Sequence, residues 1–104
     1  MIPIEEGGAE TQARGDTGNC TEEEHRRLQN EVNRQCKQLP RACRESDDCR
    51  TLKRSWHRNE RCAKAREKIN DKCFNGGDAG HRRAAQEARR AEANCREIYR
   101  RKGC

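Results

Sequence analysis

From Thr21 onward, apolar residues recur along the chain at the spacing of helices. Leu28, Val32, Cys36 and Leu39 fall within an arc of about 80° at 100° per residue, a narrow stripe that ends at Pro40. Thr21 and Glu24 form a capping box, in which each side chain satisfies a free amide of the other's turn, so a helix is expected to begin at 21. His25 shares that arc and is either a packed residue at the edge of the core or a catalytic one.

Beyond the link at 40–45, Ser46 is expected to cap a second helix, with Asp47 and Asp48 in its positive first turn. Cys49, Leu52 and Trp56 share one face there, while Cys62, Ala65, Ile69 and Cys73 share another about 140° away. Either the helix breaks near His57 and Arg58, with Asn59 capping a new one, or a single long helix meets different neighbours along its length. The break is the expected arrangement.

The stretch from Cys73 to Arg83 holds two adjacent glycines, Gly76 and Gly77, followed by Asp78, Gly80 and His81. Asp78 can cap the helix that follows, which places His81 in its first turn. From Asp78 to about Lys102 the wheel is two-sided: His81, Ala84, Ala88, Ala91, Cys95, Ile98 and Tyr99 lie on one side. Arg82, Arg83, Arg89, Arg90, Arg96, Arg100 and Arg101 lie on the other, with Glu92 and Glu97 at the margins. No stretch alternates with period two long enough for a strand, so the fold class is all-α, a bundle of three to five helices over residues 20–104. Residues 1–19 are rich in Gly, Glu, Thr and Asn and read as a disordered arm or linker.

Composition adds a constraint on what holds the bundle together. Only 30% of the 104 residues are hydrophobic even with cysteine and alanine counted, 40% are charged, and the aromatics are Trp56, Phe74 and Tyr99. A core this thin needs staples. The eight cysteines, Cys20, Cys36, Cys43, Cys49, Cys62, Cys73, Cys95 and Cys104, lack the paired close spacing of zinc ribbons or redox motifs. Disulfides are therefore expected over zinc, with their connectivity left open among 105 arrangements. Cys36, Cys49, Cys62, Cys73 and Cys95 fall in phase with the apolar stripes, where cross-links can replace large core side chains.

Oxidised cysteines imply a life outside a reducing cytosol, yet Met1 to Glu6 shows no basic start, apolar run or cleavage site. The expectation is a domain whose signal has been removed, or the tail of a larger exported polypeptide. No apolar run approaches membrane-spanning length. With 24 basic against 18 acidic residues the net charge is +6, which suits phosphates, an anionic membrane or an acidic partner protein.

Three readings fit the segment from Gly76 to His81. It is a tight interhelical connection; or an anion site built from Gly77, Gly80, Arg82 and the arginine face with Arg89 and Arg96; or a metal site in which Asp78 and His81 supply two ligands. No cofactor is expected, and a divalent metal stays open. Metal-independent RNA cleavage needs a base for the 2′-hydroxyl, an acid for the leaving oxygen and a cation for the phosphorane. His81 paired with His25 or His57, together with arginine, supplies those parts if the fold assembles them. All eight thiols are better explained as bridges than as nucleophiles.

The order Cys20, Leu28-x-x-x-Val32-Asn33-x-x-Cys36, Asp48-Cys49-x-x-Leu52, Cys62-x-x-x-Arg66-x-x-Ile69, Cys73-Phe74-x-Gly76-Gly77-Asp78-x-Gly80-His81-Arg82 and Cys95 resembles the cysteine-rich helical toxin domains called novel toxin number sixteen. These stand at the C-terminal ends of bacterial polymorphic toxins, behind Rhs, PAAR or related delivery modules. The resemblance covers about residues 20–101. It implies an antibacterial effector, secreted or injected into a rival cell as part of a larger polypeptide and neutralised at home by a cognate, acidic immunity protein. Attack on nucleic acid, as an RNase or DNase, is the expected activity; the alternative is a non-enzymatic, disulfide-locked cationic module acting on an envelope or protein target. The matched motif makes Gly76, Gly77, Asp78, Gly80 and His81 the candidate site residues.

Overall fold

The computed structural model describes residues 17–37 and 42–104. The arm read over residues 1–19 therefore lies outside the described residues up to 16, as do Leu39 and Pro40. Three helices account for the described fold: α1 (Glu22–Gln35), α2 (Cys49–Phe74) and α3 (Ala79–Arg101). The all-α expectation holds.

α1 starts where the capping box places it, with the Thr21 hydroxyl accepting the Glu24 amide at 3.0 Å. It buries Leu28 and Val32 and ends at Cys36. α2 is capped differently from the expectation. Asp48, rather than Ser46, accepts the Thr51 amide at 2.8 Å, while Asp47 accepts the Arg44 amide at 2.9 Å and closes the preceding turn. With both carboxylates available, the longer Asx side chains take the two turns and Ser46 stays exposed between them.

The expected break near His57 is absent: α2 runs unbroken for 26 residues. No glycine or proline interrupts 49–74, and Asn59, cast as a cap, is instead a buried side chain inside the helix, 2% exposed. The two faces of α2 serve two clusters. Towards its C-terminal half, Cys62, Ala63, Ala65, Ile69 and Cys73 pack with Leu28 and Val32 of α1 and Ala88 of α3. Towards its start, Leu52 packs with Cys43, Cys95 and Ile98, flanked by Trp56 and Tyr99. A straight helix with a shifting apolar face is the result of changing neighbours.

Four disulfides join the elements: Cys20–Cys73, Cys36–Cys62, Cys43–Cys95 and Cys49–Cys104, with no free cysteine. The first two tie opposite ends of α1 to α2 and set the helices antiparallel. Cys43–Cys95 ties the link before α2 to the C-terminal half of α3, and Cys49–Cys104 ties the first residue of α2 to the chain just beyond α3, antiparallel again. Of the four largest fully buried side chains, Leu52, Cys62, Cys73 and Cys95, three are half-cystines. Covalent bridges here occupy the positions where a larger domain would place leucine or phenylalanine.

α3 is rotated slightly from the expected wheel. Ala85, Ala88, Ala91, Cys95 and Ile98 are buried, and so is Glu92, which was assigned to the margin. Its carboxylate survives burial because Arg89 Nη1 donates to it at 2.8 Å and Arg96 lies 3.6 Å away. His81, placed on the buried side by its phase, is exposed. It sits in the first turn, at the tip of the α2–α3 hairpin, where α2 has already ended.

Candidate functional site

The hairpin tip is shaped by three consecutive residues with positive φ: Asn75 (51°), Gly76 (97°) and Gly77 (89°). Asn75 caps α2 in the left-handed conformation. The Gly76 amide then returns to the Asn70 carbonyl and the Gly77 amide to Phe74. A Cβ on Gly77 would come within 2.9 Å of the Asn70 side chain, which is buried and donates to the His81 carbonyl at 3.3 Å. Glycine at 77 thus lets the start of α3 close against α2.

Asp78 caps α3, and one of its oxygens does two things. Oδ1 accepts the His81 amide at 2.9 Å and also lies 2.9 Å from His81 Nδ1. The backbone amide of His81 first, then its ring, with a smaller part from the Gly80 amide, hold the Asp78 carboxyl below its ordinary pKa. An ionised carboxylate takes its bond from an N–H, so Nδ1 carries the ring proton and Nε2 is left for an outside group. The imidazole also lies nearly parallel to Phe74, with centroids 6.1 Å apart and 16° between planes.

Phe74 connects this pair to the rest of the site. His25, from the first turn of α1, meets the same ring edge-on at 5.8 Å. His25 and His81 are thus one aromatic ring apart, on two helices separated by more than 50 residues of sequence. The fold brings these two together and leaves out the third histidine. His57 stacks on Trp56 at 4.7 Å and lies 3.4 Å from Glu60, roughly 26 Å along α2 from Phe74 at the rise of an α-helix.

The ring of Phe74 is clamped from below by the turn that precedes α1. Gly18, with φ of 57°, lies so close that a Cβ would sit 2.0 Å from the Cys73 carbonyl and 2.7 Å from the ring. The Asn19 amide donates to the Cys73 carbonyl at 2.6 Å and its side chain to Asn75 Oδ1 at 3.1 Å, beside the Cys20–Cys73 bridge. Residues 17–19, assigned by sequence to the arm, are part of the site's floor.

The proposed anion-binding residues divide. Arg82 and Arg83, in the first turn of α3, are exposed, and Arg82 Nη1 donates to the Gly77 carbonyl. Gly80 and His81 turn their amides to Asp78, which occupies the place an anion would take at this helix start. Arg89 is bonded through two nitrogens to Glu67, at 2.8 and 2.9 Å, and through the third to Glu92. The Glu67 bonds first, then those from Glu92, raise its guanidinium pKa further above the ordinary value. Arg89 thus braces the α2–α3 seam, while Arg96 lies 3.6 Å from Glu92 within α3. Among the described residues no group of three or more His, Cys, Asp or Glu side chains is gathered as a metal site would require, and no helix is long and apolar enough to cross a membrane.

Sequence reasoning missed Phe74 as the platform and Gly18 with Asn19 as its clamp. The signal for Phe74 was its place as the single aromatic beside the glycine turn. For Gly18 there was none, because the approach depends on a bridge whose partner was open.

Helices stapled in antiparallel pairs by four disulfides, with a histidine–aspartate pair at an exposed hairpin tip, define a cysteine-rich all-helical domain. Residues 16–98 match the family model described as novel toxin 16, and the chain belongs to that family. No curated protein and no solved structure matches it.

Proposed function

We propose that this toxin domain is an effector that cleaves RNA at the hairpin tip, with His81 and His25 as the proton-transferring pair. The observation that carries the reading is the convergence of two imidazoles on Phe74, one of them oriented by Asp78. In such a reaction one imidazole takes the proton of the 2′-hydroxyl as its oxygen attacks phosphorus. The other gives a proton to the departing 5′-oxygen as the P–O bond breaks, leaving a 2′,3′-cyclic phosphate. Asp78 holds the His81 ring in one orientation with Nε2 outward, and Phe74 supplies a flat face beside both rings. Arg82 and Arg83 provide positive charge in the same turn for the phosphorane. Protons pass between side chains and substrate, so the scheme balances without a cofactor.

Membership in the toxin family supports delivery by a larger secreted polypeptide and neutralisation by a cognate immunity protein, for which a net charge of +6 favours an acidic surface. Expression of wild type and His81→Ala in a bacterium lacking that immunity protein tests the reading, in a strain whose cytoplasm permits disulfides. Wild type should kill with loss of RNA and the variant should not. Undiminished killing by the variant, or killing with intact RNA, overturns it.

A further inference from the structure

We infer that the groove between α1 and α2 is the track along which a single-stranded nucleic acid reaches the histidine pair; this rests on the nuclease reading above and names its substrate class. The groove encloses about 440 Å³ over a floor that includes Leu28 and Ala65. Its walls carry Arg27 from α1 and Arg61, Lys64 and Lys68 from α2, all exposed. Lys64 is shared with Glu60 at 3.5 Å, and Arg27, Arg61 and Lys68 form no ion pair among the described residues. The carboxylate of the groove, Glu31, is turned to Arg34 and Gln35.

The direction of the row matters more than its charge. At 100° per residue Arg61, Lys64, Lys68 and the exposed Lys72 fall within an arc of about 80°, one cation per helical turn over roughly 16 Å. A helical turn of about 5 Å is comparable with the separation of successive phosphates in an extended strand. The row ends at Lys72, two residues before Phe74, and on the opposite wall Arg27 lies two residues after His25. Both walls thus reach the end of the bundle that holds the candidate site, on helix faces about 200° from Phe74 and His25, and a strand leaving the groove turns across that end to reach the histidines. A cleft between two neighbouring helices admits one backbone, whereas a duplex would ride on its rims. Phe74, half-buried at that end of the bundle, leaves part of its ring for a base, and an aromatic beside a cationic groove is the arrangement that single-strand binders use.

Binding can be read without cleavage. The His81→Ala chain, with its four bridges intact, is titrated by fluorescence anisotropy with a labelled RNA oligonucleotide at several salt concentrations, beside the same chain carrying Lys64→Gln and Lys68→Gln. Each neutralised contact contributes about 0.7 to the salt slope for a single strand, so the double change should lower the slope by about 1.4 and the affinity on the order of 25-fold at 0.1 M salt. A duplex of the same sequence should bind less tightly than the strand. An unchanged slope and affinity, or tighter binding of the duplex, overturns the inference; circular dichroism and a thiol count confirm that the variants are folded and bridged. Binding that depends on the lysines in a protein that cleaves nothing would sustain the track and sink the catalytic reading. Cleavage that depends on His81 but ignores the lysines would do the reverse.

Discussion

Replacing Cys20 and Cys73 together with alanine should destabilise the domain by about 3–4 kcal/mol. The bridge spans 53 residues of sequence, and closing such a loop alone removes about 4 kcal/mol of denatured-state freedom in the chain-entropy description. Cys36–Cys62, with a separation of 26, is nested within it and remains, which roughly halves the effective loop and lowers the figure to about 3.5 kcal/mol. Cys73 is fully buried, so losing its sulfur adds a small cavity cost, and alanine avoids burying the hydroxyl that serine would bring. For a domain of this size each kcal/mol moves the midpoint by about 4–8 °C, so thermal unfolding followed by circular dichroism should show Tm about 15–25 °C lower. A fall of less than about 5 °C would refute the idea that bridges stand in for core.

Two further outcomes follow from the hairpin tip and its ion pairs. Gly18→Ala should cost about 3 kcal/mol or more, because the new Cβ meets the Cys73 carbonyl, whereas Gly76→Ala faces open space and carries only the backbone penalty of about 1–2 kcal/mol. Urea midpoints that rank the two in the other order would contradict the clamp on Phe74. The carboxyls of Asp48, Glu60, Glu67 and Asp78 are all held below their ordinary pKa values, chiefly by hydrogen bonds from Thr51, His57, Arg89 and His81 respectively. Groups that bind protons more weakly when folded lend stability that is complete above their unfolded values near 4 and is lost as pH falls through the folded ones. The urea midpoint should therefore decline below about pH 5, and less steeply in Glu67→Gln; equal midpoints at pH 6 and pH 3 in the wild type would be the contrary result.

Much of the scaffold was legible in the sequence because helix signals are local. The Thr21 and Asp78 caps, the apolar stripe of α1 and the oxidised state of the cysteines all follow from residues near one another or from the count of thiols. Errors arose where one local signal outcompeted another or where tertiary partners intervened. Asp48 took the cap from Ser46, and α2 stayed continuous because its two faces meet different neighbours. Glu92 could be buried because arginines stand three residues before it and four after, a spacing visible in the sequence whose weight depends on the seam with α2. The candidate site was half legible. Asp78 and His81 are three residues apart on one helix, so their contact is local, whereas the choice of His25 over His57 depends on the antiparallel docking of α1 that the Cys20–Cys73 bridge imposes.

The most direct test uses purified, fully oxidised protein and a labelled RNA strand. Wild type should cleave it to products ending in a 2′,3′-cyclic phosphate, while His81→Ala and His25→Ala, verified as folded, should each lose about 10²–10⁴-fold in rate and His57→Ala should lose little. No cleavage by wild type, or cleavage by His81→Ala at the wild-type rate, would contradict the assignment of the hairpin tip as the active site.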